Sequence, residues 1–215
     1  MPRQIPIKNI VNAVLEGYKM AHEQYENMTG GWWLWTAPEY FITSCIAQTL
    51  NALEGPGFIT LEHGASHALE SAGGKGRGRL PRDFRENGKV DILLWWGRDE
   101  PRAVIEVKNQ VSTQNAYEAD INRIKAFLNR NTGNSSLQFG ILSFYQSASD
   151  GARKSADEKI KDRITSIRHH CLNLLGEAFS LEIFKTEVMN DLEKDAWQAV
   201  CFLIRKKNNN TQQEL

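Results

Sequence analysis

The chain carries no net charge: 26 Lys and Arg balance 26 Asp and Glu over 215 residues. A balanced surface sets up no global basic field, so a polyanionic partner would have to be met by a local patch. Cysteine is also scarce. Cys45, Cys171 and Cys201 are odd in number, widely spaced and without a CxxC, which excludes a disulfide framework and a cysteine-rich zinc site and points to a reducing, cytoplasmic home. No apolar run approaches the ~18 residues of a membrane span, and the start MPRQIPIKN has no apolar h-region, so neither a spanning nor a targeting segment is expected. Repeats are absent, and the only low-complexity piece is the polar end RKKNNNTQQEL, read as a frayed tail from residue 206 onward. With hydrophobic residues at 41% and charged residues at 24%, the expectation is one globular domain over residues 1–215, burying roughly 70% of the surface that the unfolded chain exposes.

Periodicity supplies the elements. Ile7, Ile10, Val11, Val14, Leu15 and Tyr18 predict a first helix that loses its pattern toward Gly30 and Gly31. In TAPEYFITSCIAQTLNAL, Pro38 suits a first turn and Ile42, Cys45, Ile46, Thr49, Leu50 and Leu53 form an apolar stripe. FITLE (58–62) reads as a short strand, followed by the glycine- and arginine-rich stretch GGKGRGRLPRDFRENGK, which is expected to be a loop. KVDILLWWG and RAVIEVKNQ read as an antiparallel hairpin turned by RDEP. A helix over 114–130, a buried strand over 137–145, a helix over 155–175 and two last strands, FSLEIFKTEV and AWQAVCFLI, complete the order. The fold class is α/β, a mixed sheet with flanking helices.

Within AVIEVKNQV (103–111), alternation sends Ala103, Ile105 and Val107 to one face and Val104, Glu106 and Lys108 to the other. Asp91 lies near the start of the preceding strand, and the start of one antiparallel strand is level with the end of its partner, so Asp91, Glu106 and Lys108 converge. Two carboxylates at one point need a cation. Acid oxygens without His or Cys suit Mg²⁺, with Mn²⁺ as a substitute. A neighbouring lysine can orient or help deprotonate a water and stabilise charge on a phosphoryl oxygen, which is equipment for hydrolysing a phosphodiester. The bland alternative is a solvated hairpin face with cross-strand ion pairs of roughly 0.2–1 kcal/mol each. Gln110, two places beyond Lys108, is expected on the same face, assisting with substrate or ending the strand.

The pattern Asp91-x₁₄-Glu106-Val107-Lys108, set in a helix-strand-strand-strand-helix-strand order over about residues 36–145, resembles the PD-(D/E)xK nuclease superfamily, with Val90 where the motif has Pro. The resemblance implies a restriction-endonuclease-like αβββαβ core, with an N-terminal helix and a C-terminal helix and strands as additions. It implies a Mg²⁺-dependent deoxyribonuclease of restriction or defence type, RNA remaining an open second substrate, in which Asp91, Glu106 and Glu39 hold the metal and Lys108 positions the attacking water. Glu39 enters through the family's habit of an acid on the first core helix. Its spacing with Ile42, Ile46, Leu50 and Leu53 also places it on the inward stripe. The competing reading is a capping box, Thr36-x-x-Glu39. A two-fold DNA substrate would favour a homodimer.

The loop 75–89 adds what the total charge lacks: Lys75, Arg77, Arg79, Arg82, Arg85 and Lys89 stand against only Asp83 and Glu86, a candidate nucleic-acid-binding segment. Asp120 and Arg123 can pair at i, i+3, as a surface ion pair by default or in support of the site. Trp32, Trp33 and Trp35 are read as packing rather than base-stacking residues. Glu62, His63 and His67, placed where a strand runs into a loop, lack the HExxH order of a zinc site. Two rivals to the nuclease remain open: an idle nuclease fold that only binds nucleic acid, and a protein-interaction subunit.

Overall fold

The computed structural model describes residues 4–55, 57–74, 88–96, 100–130, 135–190 and 194–207. Their order is α1 (Ile7–Thr29), α2 (Glu39–Asn51), β1 (Ile59–Gly64), α3 (Ala65–Ser71), β2 (Lys89–Trp95), β3 (Pro101–Gln110), α4 (Glu118–Asn129), β4 (Phe139–Ser149), α5 (Ala156–Leu175), β5 (Phe179–Lys185), β6 (Met189–Asn190) and β7 (Asp195–Lys206). The strands form one seven-stranded mixed sheet in the order β1-β2-β3-β4-β7-β5, with β6 on β7. β3 and β4 run parallel, joined through α4, and the remaining pairs are antiparallel. The protein is therefore α/β, a mixed sheet flanked by helices.

Alternation along the strands feeds two cores. Ile105, Val107, Ile141, Tyr145 and Cys201 pack with α1 and α2, whereas Leu93, Val104, Leu142, Phe144 and Phe202 pack with α3, α4 and α5. Two glycines set how closely helices approach. A Cβ on Gly17 would lie 2.5 Å from Ile46 Cα, so α1 and α2 touch backbone to backbone, and one on Gly140 would lie 2.3 Å from Ile124 Cγ2, so α4 sits directly on β4. α1 ends on Gly30 at φ 72, a left-handed cap suited to glycine, and α5 starts with a full Ser155–Glu158 capping box.

The structure corrects several expectations. A short helix, α3, occupies residues read as the run from strand to loop, so His63 lies on β1 and His67 on α3. The helix expected from 114 opens with a 3-10 turn over Gln114–Ala116 before α4. The tail begins later than residue 206, because β7 runs through Lys206 and Lys207 N–H donates to Ala178 O at 2.9 Å. Lys75, Arg77, Arg79, Arg82 and Arg85 lie outside the described residues. No helix among the described residues is long and apolar enough to cross a membrane.

Candidate active site

The expected hairpin register brings the triad together. Ile92 faces Ile105 and Leu93 faces Val104, and continuing that register sets Asp91 opposite Glu106. Val107 N–H donates to Asp91 Oδ2 at 2.7 Å, fixing the Asp91 carboxylate against β3. Glu106 pairs in register with Leu142 and Lys108 with Phe144, so both charged side chains belong to the face covered by α4 and α5.

Burial excludes the solvated reading of this face. Glu106 is 0% exposed and neither carboxylate oxygen has a hydrogen-bond donor. Burial, followed by the charge of Asp91, pushes its carboxyl well above the usual range. Burial also raises Asp91, against the lowering effect of its bond from Val107 N–H. An ionised carboxylate in such a place is costly unless a cation answers it.

Two side-chain cations supply part of that answer. Arg123 Nε lies 3.0 Å from Glu106 Oε1, out of line for a hydrogen bond, so the attraction is Coulombic. The Arg123 guanidinium also binds Asp120 Oδ1 at 2.5 Å and donates to Lys89 O. Lys108 Nζ sits 3.0 Å from Glu39 Oε1 and 3.5 Å from Asp120 Oδ2. Burial opposes the charge on Lys108, but Asp120, Glu39 and Asp91 outweigh it and hold the ammonium well above its ordinary value.

Glu39 reaches this cluster from α2, whose apolar residues belong to the opposite core. The capping box does not form: Thr36 Oγ1 donates to Trp33 O at 2.8 Å and α2 starts without a side-chain cap. Instead Glu39 takes Lys108 Nζ on one oxygen and Asn109 N–H on the other, at 3.3 Å. Asn109, which sequence reasoning missed, holds the approach to α2 by donating from Nδ2 to Leu34 O and Ala37 O at 3.0 and 2.8 Å. The buried Tyr18 donates to Lys108 O at 2.9 Å, and Ser143 Oγ to Glu106 O at 3.2 Å. The backbone carrying the two charges is thus fixed from α1 and from β4.

Asp120 and Arg123 are not a surface pair. Asp120 is 5% exposed, and the two residues tie Glu106 to Lys108. Their signal was present in the stripe Tyr117, Ile121, Ile124, Leu128, since Asp120 is three residues after Tyr117 and four before Ile124, on the inward side.

Gln110 does not share the face of Lys108. Lys108 pairs with Phe144 and Gln110 with Tyr145, so two steps on β3 match one on β4, and the bulge reverses the alternation. Its amide is engaged with Ser147, donating to Ser147 O at 3.0 Å and accepting from Ser147 N–H at 2.9 Å. Glu62, at φ 50, pairs with Lys89 at 3.8 Å and is not among the charges acting on Asp91 or Glu106. His63 Nε2 meets His67 Nδ1 at 2.8 Å.

Among the described residues, no three His, Cys, Asp or Glu side chains are arranged to hold a metal ion. Glu39 is turned to Lys108, leaving Asp91 and Glu106 as the carboxylates that face each other. Two hard carboxylates, one with both oxygens buried and undonated, fit a small divalent cation of the Mg²⁺ kind, which takes one or two carboxylates and keeps its remaining shell in water. Comparisons with protein-family models, with curated proteins and with solved structures find no match.

Proposed function

We propose that the protein is a divalent-metal-dependent nuclease that hydrolyses phosphodiester bonds of DNA. The observation that carries this reading is Glu106, fully buried, without a donor on either oxygen, and facing Asp91 beside an ammonium. A fold that needed only stability would be served as well by apolar residues there. The order α2-β1-β2-β3-α4-β4, interrupted by the short α3, supports a restriction-endonuclease-like core, and the site lies where the parallel pair β3 and β4 ends.

Asp91 and Glu106 would hold Mg²⁺, which when bound supplies Lewis-acid stabilisation of charge on the phosphoryl oxygens. Lys108, kept protonated by Asp120, Glu39 and Asp91, acts as a donor: it orients a water for in-line attack and offsets negative charge as that charge grows. It is not the base. Glu39 and Asp120 aim the ammonium, and Arg123 keeps Asp120 and Glu106 in place. Lys89, the one member of the basic set among the described residues, lies next to Arg123 through its carbonyl. A restriction or defence role in the cytoplasm and a homodimer on two-fold DNA extend the same reading.

One observation favours a second reading. Lys108 and Arg123 already neutralise the acids from within the chain, as an idle nuclease fold serving as a binding subunit would require. Incubation of supercoiled plasmid with the wild type in Mg²⁺, in EDTA, and with Lys108→Ala separates the two. Cleavage that requires Mg²⁺ and is lost in the variant supports the nuclease. Intact DNA with salt-dependent binding supports the idle fold.

A further inference from the structure

Trp32 and Trp35 were expected in the packing, yet they are 63% and 55% exposed. Only Trp33, between them, turns inward, edge-on to the buried His22 at 5.7 Å. The segment that carries the two exposed rings is held at both ends. Thr29 Oγ1 accepts from Trp32 N–H at 3.1 Å, Thr36 Oγ1 donates to Trp33 O, and Asn109 Nδ2 clamps the carbonyls of Leu34 and Ala37. The rings are therefore presented to solvent by an anchored turn, at the cost of leaving large apolar surface wet.

They line a cleft of about 1000 Å³ together with the hydrogen-bonded pair Gln110 and Ser147 and with Arg163. Arg163 Nη1 donates to Ser147 O at 2.8 Å. The cleft opens at the ends of β3 and β4, the same ends that carry the acids and Lys108: Gln110 is two residues beyond Lys108, and Thr36 three before Glu39. Glu26 and Asp195 also line it, so its charge is mixed and it is not a trough for a phosphate backbone. Aromatic planes with donors and acceptors of both signs match a nucleobase, which has a π-face and a hydrogen-bonding edge.

We propose that this cleft receives unpaired bases of the strand whose phosphodiester lies at Lys108, so that the substrate is single-stranded or locally opened nucleic acid. The proposal rests on the nuclease reading of the neighbouring site. Bases stack on Trp32 and Trp35 while the backbone passes toward Lys108. A continuous duplex keeps its bases stacked on one another and leaves the two rings unused.

The test is fluorescence anisotropy in EDTA with a labelled single strand of about 12 nucleotides, inside the ~4–16 nucleotide span of single-strand sites, and with a blunt duplex of the same sequence. Wild type is compared with Trp32→Ala/Trp35→Ala and with Trp32→Phe/Trp35→Phe. The expected result is a loss of single-strand affinity of about tenfold or more in the alanine pair, retention of most affinity in the phenylalanine pair, and little change on duplex. No single-strand binding by the wild type, or equal affinity of wild type and alanine pair, overturns the proposal. A cleavage assay run in parallel in Mg²⁺, on the same single strand as well as on the plasmid, keeps the two readings apart. Tryptophan-dependent strand binding without cleavage removes the nuclease and leaves the base cleft; cleavage without tryptophan-dependent binding removes the base cleft and leaves the nuclease.

Discussion

The two faces of β3 are both dry as far as Glu106 and Val107, and they differ in kind. Ala103, Ile105 and Val107, under α1 and α2, are all 0% exposed and wholly apolar; on the other face Val104 and Glu106 are also 0% exposed, but Glu106 and Lys108 bring charge beneath α4. One face follows from the hydrophobic effect alone. The other maintains at least five ionisable groups in contact, Glu39, Glu106, Lys108, Asp120 and Arg123, with Asp91 beside them. Such a network lowers stability relative to an apolar core unless each charge finds its counterpart. A strand that needed only to fold would have two faces of the first kind.

Breaking each face in turn gives the largest contrast. Arg123→Met strands Glu106 among like charges and is expected to cost about 3–5 kcal/mol, part of which added Mg²⁺ restores in the wild-type buffer. Ile105→Ala is expected to cost about 2–5 kcal/mol by cavity formation, with no metal-dependent recovery. Urea melts of both variants with Mg²⁺ and with EDTA read the difference, and an identical metal response in the two would erase it.

Gly140→Ala sharpens the comparison through geometry instead of charge. Its Cβ would press on Ile124 at 2.3 Å and lift α4, at roughly 1–3 kcal/mol of overpacking. Because α4 carries Asp120 and Arg123, the metal-dependent gain in melting temperature should shrink along with the stability. A variant that loses stability and keeps the full metal response would show that α4 is not what positions the acids.

Glu39→Gln acts on the half-exposed edge of the charged face. Its effect on melting should stay within ~1 kcal/mol, the ordinary worth of a partly solvated ion pair. Cleavage should fall through kcat with little change in KM, because the substitution frees the Lys108 ammonium without touching the substrate. Retention of full kcat would remove Glu39 from the positioning of Lys108.

The smallest effect belongs to neither face. Burial, and then the neighbouring His67, hold His63 below its ordinary value of 6.5. The unfolded chain therefore takes up this proton first as pH falls, so stability is complete above that value and declines as pH drops through it toward the folded-state value. An NMR titration should find His63 titrating below 6.5. Because burial is the larger cause, His67→Ala should return it only part of the way.

Much of the charged face was legible because strand alternation is a strict rule. Glu106 and Lys108 had to share a side, and the hairpin had to bring Asp91 level with Glu106. Helical spacing likewise put Glu39 on the inward stripe. What escaped were features decided by neighbours distant in sequence. Glu39 leaves Thr36 for Lys108 and Asn109, because a buried ammonium is a stronger partner than an N-terminal amide. Asp120 reads as half of a local ion pair until α4 is pressed onto β4 at Gly140. Gln110 was misplaced because no composition signal marks the extra residue at Asn109, and the exposure of Trp32 and Trp35 depends on the anchoring of their turn by that same residue.

The extra step at Asn109 has a further consequence, for how this sequence can vary. A bulge resets the parity of everything downstream, so the segment after Lys108 answers to a different inside and outside from the segment before it. Substitutions from Gln110 onward can redesign the tryptophan cleft without touching the orientation of Glu106 or Lys108, and deletion of one residue there would put both regions back in a single frame. The chain thus separates the cluster of acids and Lys108 from the tryptophan cleft, at the length of one amino acid.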